Sequence, residues 1–259
     1  MLALRLPYDQ IQLFFLVLLR VAAMLASMPV IGGRGVPMSI KAALALAVSL
    51  ALLPILSLSP VPVIDHWLNL AIGVGAEILL GTSIGLLIQL LFSSVQIAGQ
   101  IAGFQMGLAI ANIMDPASSM QIPILAQVYN LIAMLLFLTI NAHHWFFFSL
   151  ADSFRIIPPM QFTLAAPLMQ HLVETGGAMF VVALKIGAPV IVVLILTSVA
   201  FGLVARTVPQ MNIFIVAMPL KIVIGLLFAG LSLPYLQQFM TGIFDGFGAS
   251  LTALLKVMG

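Results

Sequence analysis

The chain has 259 residues, 63% hydrophobic and 6% charged, with a net charge of +2 and a mean hydropathy of +1.26. A soluble domain carries about 25% charged residues, so no water-exposed fold of this length could hide so much apolar surface. The thin charge offers no basic patch for nucleic acid, and the lack of cysteine excludes disulfides, thiolate metal sites and a cysteine nucleophile.

A spanning helix needs about 20 mainly apolar residues, and the alternation of barrel strands is missing, so the expected class is all-α. The first apolar segment, 11–31, contains Arg20 and lacks an A-x-A site. It reads as a retained span, since a signal core would be shorter. Pro29, Gly32, Gly33, Gly35 and Pro37 end it. The second segment, 42–59, is closed by Pro54, Pro60 and Pro62. The third, 67–92, follows His66-Trp67 and carries Glu77.

From residue 78 to 114 no Asp, Glu, Lys or Arg occurs, a run of 37 residues. One span cannot use that many, so part of the run must bend back, lie flat or sit inside protein. Gly99, Gly103 and Gly107 recur every fourth residue, as do Gly81 and Gly85. On a helix such glycines share a face and admit a second backbone. Gln89, Ser93, Gln96 and Gln100 form a polar stripe that wants protein or water rather than lipid. Gly81-Thr82-Ser83-Ile84-Gly85 matches G-x-S-x-G. A nucleophile elbow needs a strand–turn–helix setting, which an apolar helical run does not supply.

Pro116 and Pro123 precede the fourth segment, 122–142, which ends at His143-His144-Trp145. Adjacent histidines point apart on a helix, so with Trp145 they read as interface anchors rather than metal ligands. Residues 151–177 read as the longest polar connection. The remaining segments are 178–204, holding Lys185 and Pro189, then 211–232 with Pro219, and 236–256. Both prolines should kink their helices.

Arg20, Glu77 and Lys185 are candidate buried charges. A charge at mid-bilayer costs about 2.5–3.5 kcal/mol, so each needs a partner. Glu77 with Lys185 is the expected pair, either orienting helices or relaying a proton. Placing Arg34, Lys41, Arg206, Lys221 and Lys256 on the cytoplasmic side gives an N-out, C-in topology. Arg34-Gly-Val-Pro37 and Arg206-Thr-Val-Pro209 form a faint internal echo. Fifteen methionines, Met106, Met114 and Met120 among them, supply deformable side chains that could serve as filler or as a seal. No G-x-x-x-x-G-K-[ST] motif offers an ATP site.

Four stretches together resemble the FliR/SctT family of type III secretion export-gate proteins. They are PVIGGRGVPMSIKAALALA (29–47), AGQIAGFQMGLAIANIMDP (98–116), LFLTINAHHW (136–145) and VARTVPQMNIFIVAMPLKIVIGL (204–226). The resemblance runs in order through nearly the whole chain and leans towards the flagellar branch. It implies membrane-associated helical hairpins forming one subunit of a helical hetero-oligomeric gate with FliP and FliQ, at the base of the flagellum in the bacterial inner membrane. FlhB would dock on the gate and FlhA lie nearby, and unfolded flagellar proteins would pass through. It further implies a FliP-like part over 1–174, a FliQ-like hairpin over 175–259 and a plug loop at about 103–121.

In that loop Gly103, Phe104, Gln105, Met106, Gly107, Asn112, Ile113, Met114 and Asp115 are the expected constriction residues. Glycines would permit turning at a crowded axis, the amides would tolerate a wet lumen, and Met106, Ile113 and Met114 would exclude water. The expected helix-packing glycines are Gly81, Gly85, Gly99, Gly103 and Gly107. No catalytic residue, metal or cofactor is implied, and hydropathy overstates the number of crossings in this family. The alternatives are an injectisome SctT subunit or a secondary small-molecule transporter. A transporter would account for Glu77 and Lys185 but poorly for residues 99–116.

Overall fold

Without water, a backbone N–H or C=O must find its partner inside the protein, and a helix supplies both within one segment. The computed structural model describes residues 8–33, 35–56, 67–108, 124–162, 166–208, 210 and 212–258, and their regular structure is all helical. The elements are α1 (Tyr8–Ser27), α2 (Met38–Leu56), α3 (Trp67–Gln105), α4 (Ile124–Thr139), α5 (Ala142–Ile156), α6 (Ala166–Thr207), α7 (Ile213–Leu231) and α8 (Leu233–Met258).

Local chemistry sets the ends. Ser27 Oγ donates back to the carbonyls of Ala23 and Met24, both at 2.9 Å, as α1 finishes. The chain then turns tightly through Gly32, whose N–H donates to Met28 C=O at 2.6 Å; a Cβ there would stand only 2.6 Å from that oxygen. Lys41, one turn into α2, reaches back to the carbonyls of Gly32 and Gly33 at 2.8 and 3.0 Å. Pro37 starts α2: its carbonyl accepts from Ile40 and Lys41, and its own missing N–H costs nothing at that position. Pro234 lies at the start of α8. Its ring and missing N–H break the run at Ser232, where α7 and α8 diverge by 50°.

Helix α3 takes up residues 78–105 of the charge-free run. Its 39 residues continue without a break from Trp67 to Gln105, and at about 1.5 Å per residue they exceed the ~30 Å thickness of a hydrocarbon core. Most of its apolar window, 61%, is buried within the chain, against 17% for α2 and 28% for α6. Two expectations change. Residues 142–156, partly assigned to a polar connection, form α5, and α6 begins at Ala166, twelve residues before the apolar segment expected from 178. Gln170 donates to Glu174 at 2.9 Å along the first turns of α6, the i,i+4 support an exposed polar helix uses.

Among the described residues, four helices are long and apolar enough to cross a membrane, or up to six spans if α4 with α5 and α7 with α8 each count as one broken span. Two of the seven apolar segments, 211–232 and 236–256, fall within one bent pair. Packing divides the chain into two compact units. One comprises residues 1–90, 141–175 and 246–259, and the other 91–140 and 176–245. The first unit buries Leu16, Val17, Val21 and Met24 of α1, Leu80 and Ile84 of α3, and Phe146, Leu150 and Phe154 of α5. The second buries Val95, Ala98, Ala133, Val190, Leu194 and Met240, around a chain of rings in which Phe137 lies 5.6 Å from Phe92 and 5.4 Å from Phe244.

Candidate functional site

The first unit encloses two charges. Arg20 and Glu77 have no solvent exposure, and Arg20 Nε donates to Glu77 Oε2 at 2.6 Å. The guanidinium fork is used further: Nη1 donates to Ser153 Oγ at 3.2 Å, and Nη1 and Nη2 both donate to the Ile157 carbonyl at 3.1 Å. Its flat face lies 4.1 Å from the centroid of the Phe154 ring, a stacking contact that a desolvated cation favours. The other carboxylate oxygen of Glu77 accepts the Met160 N–H at 3.3 Å. Met160 sits in a left-handed turn with φ 70, and its thioether fills the space left by the missing side chain of Gly73. One arginine thus ties α1, α3 and the exit of α5 together. The enclosed, fully partnered pair suits a clamp.

The expected Glu77–Lys185 pair is corrected here. Glu77 is held by Arg20, whose planar fork reaches a carboxylate, a hydroxyl and a carbonyl at once, a geometry an ammonium cannot copy. Lys185 lies on an exposed face of α6. Its carbonyl matters more: Pro189, four residues on, has no N–H to bond it, and the Tyr235 hydroxyl donates to it at 3.1 Å. The proline is thereby accommodated inside α6, which continues to Thr207.

Glycines bring α3 against its neighbours in each unit. In the first, a Cβ on Gly81 would meet Ala23 Cβ at 2.8 Å, and one on Gly85 would meet Ser27 Cβ at 2.7 Å. In the second, a Cβ on Gly99 would stand 2.7 Å from Ala126 Cα and 2.8 Å from Tyr129 Cδ2, so α3 and α4 approach nearly backbone to backbone. Gly103 is buried, Phe104 is 60% exposed, Gln105 is half-buried and Met106 is fully buried. Gly107, with φ 84, ends the helix in the left-handed conformation that glycine adopts without strain. Asn112, Ile113, Met114 and Asp115 lie outside the described residues.

Of the polar stripe, Gln89 is exposed and Ser93, Gln96 and Gln100 are half-buried. Gln96 opens onto a cavity of about 360 Å³ in the second unit, lined also by Gln127, Asn130 and Met134. The side-chain oxygen of Asn130 is buried there without a hydrogen bond from the described residues. Ser83 lies within α3 and is buried, so the G-x-S-x-G match is a helix interior. Sequence reasoning did not find Ser153, Ile157, Tyr235 or the Gly225 contact of Met106. Only the Tyr235 contact had a usable signal, the carbonyl that any internal proline orphans four residues back.

Residues 11–247 match the bacterial export proteins, family 1. The flagellar biosynthetic protein FliR of Escherichia coli is 34% identical over 91% of this chain and 89% of its own length. That of Bacillus subtilis is 32% identical over 97% of both chains, and that of Aquifex aeolicus is 29% identical over 88% of both. The chain belongs to the FliR family of bacterial export proteins.

Proposed function

We propose that this chain is a structural, non-enzymatic subunit of the flagellar protein export gate, forming with FliP and FliQ the inner-membrane pore for unfolded flagellar subunits. The observation that carries the reading is the family match over residues 11–247, with flagellar relatives similar across almost their full length. The surface agrees with it. Leu46, Leu50 and Ile55 of α2, and Leu184, Leu196, Val199 and Leu203 of α6, are large apolar side chains left exposed by the chain's own packing. Such faces need lipid or sister subunits.

In this reading residues 1–174 are the FliP-like part and 175–259 the FliQ-like hairpin. FlhB and FlhA are neighbours, and the segment from Gly103 to Gln121 obstructs the lumen until export begins. Met106 belongs to the support of that segment, since its thioether is committed to the core of the second unit. The test is affinity purification of the tagged chain from membranes, with mass spectrometry of its companions. FliP and FliQ are expected. A monodisperse single chain that binds a small solute would replace the gate with a transporter. In the purified complex, removing residues 110–114 should produce an ion leak, and background conductance with intact assembly would remove the seal from this segment.

A further inference from the structure

We infer that Met106 and Gly225 form a peg-and-notch joint that fixes where α3 ends, which makes both of them positioning residues for the closed gate. The inference rests on the proposed function for its consequence, and on the geometry of the second unit for the joint itself.

The peg is Met106, the first residue after α3, with no solvent exposure. Its N–H still donates to Ala102 C=O at 3.0 Å, so the backbone remains helical up to this point. The notch is Gly225, buried in the middle of α7. A Cβ on Gly225 would stand 2.6 Å from Met106 Cγ and 2.8 Å from its Sδ, with Cε nearer still. The far end of a methionine bends easily, but Cγ is one bond from Cβ, and a fully buried side chain has no free space to swing into.

Immediately beyond the peg the backbone leaves the right-handed helical conformation. The Gly107 N–H donates to Phe104 C=O at 3.0 Å and Gly107 takes φ 84. A Cβ on Gly107 would find Met218 Cγ no nearer than 3.9 Å, so its glycine serves backbone conformation, while Gly225 serves space. The two glycines divide the work: Gly107 turns the chain, and Gly225 lets Met106 hold the turn against α7. Phe104, two residues before the peg, remains 60% exposed and adds no buried anchor of its own. A displaced Met106 would carry the start of the following segment with it.

The test uses the purified gate complex in planar bilayers with potassium as the conducted ion. Gly225→Ala should raise the closed-state leak about tenfold, because overpacking a filled site biases a two-state closure by that order. Met106→Ala placed on top of Gly225→Ala makes room for the new methyl and should return the leak towards wild type. Gly230→Ala, on the same helix where a Cβ meets nothing within 4 Å, should match wild type. Wild-type leak in Gly225→Ala, or a double variant no better than the single one, overturns the joint. If Gly225→Ala fails to accumulate, recovery of assembly by Met106→Ala supports the joint and no recovery overturns it. Should the wild-type chain prove to have no gate partners, the reading of function fails by itself. The joint is then decided by melting temperature: less-than-additive effects of the two substitutions support it and additive effects overturn it.

Discussion

The two units use glycine in the same way and differ in the groups at their centres. The unit of residues 1–90, 141–175 and 246–259 closes around Arg20 and Glu77, whose nitrogens and oxygens all bond within that unit. The unit of residues 91–140 and 176–245 closes around rings and missing side chains, and leaves the Asn130 oxygen unanswered beside Gln96 and Gln127. The Arg20–Glu77 set is completed by its own chain, although Gln12 Nε2 of the same unit is buried without a hydrogen bond among the described residues. The Asn130 amide on α4 is left open, and an unpaired buried amide is costly.

The sharpest way to break that contrast is Glu77→Ala. It strands a guanidinium in a site with no solvent access, and removing one partner of a buried pair costs about 3–5 kcal/mol. The melting temperature of the purified complex should collapse, or the chain should be cleared from membranes. The double variant Arg20→Met, Glu77→Leu should be far milder, because no charge is left unpaired. A stable Glu77→Ala protein would mean the clamp does not hold the first unit.

The next effect tests the glycines. Gly99→Leu drives a side chain into backbone atoms, with Ala126 Cα 2.7 Å from the first added carbon, and overpacking of this kind costs about 1–3 kcal/mol or more. Gly202, within α6, has nothing within 4 Å of an added Cβ, and Gly202→Ala should stabilise the helix by about 0.5–1 kcal/mol. Opposite signs in thermal melts are the expected result. Loss of companions from Gly202→Ala without loss of the chain's own stability would show a partner backbone lying on that glycine. Destabilisation by both would erase the distinction between closed and open glycine faces.

The class of the fold was readable because apolar runs of about 20 residues leave few alternatives to helix. The glycine spacing of α3 was visible too, and so was the need of Arg20 and Glu77 for partners. Who partners whom was not. Hydropathy carries no register between helices, so Lys185 looked as good for Glu77 as Arg20, 57 residues away. Helix α5 was hidden because Asp152, Arg155 and Pro158 read as a loop, while its inward face, Ser149, Leu150, Ser153 and Phe154, is what packs. Met106 looked like a sealing thioether in composition. Its burial against Gly225 depends on a contact 119 positions along the chain, which no local pattern records.

The smallest effect probes how an internal proline is tolerated. Tyr235→Phe deletes the one hydroxyl that answers the Lys185 carbonyl, and a single hydrogen bond of this kind contributes about 0.5–1.5 kcal/mol. The loss should vanish in a Pro189→Ala background. There residue 189 regains an N–H, the carbonyl of Lys185 recovers its helical partner, and the phenol becomes redundant. The measurement is a double-mutant cycle on melting temperature, in which the coupling rather than either single value decides. Equal costs of Tyr235→Phe with and without Pro189 would show that Tyr235 acts through its ring, which stacks 5.9 Å from Phe239, and that the second unit holds α6 by packing alone.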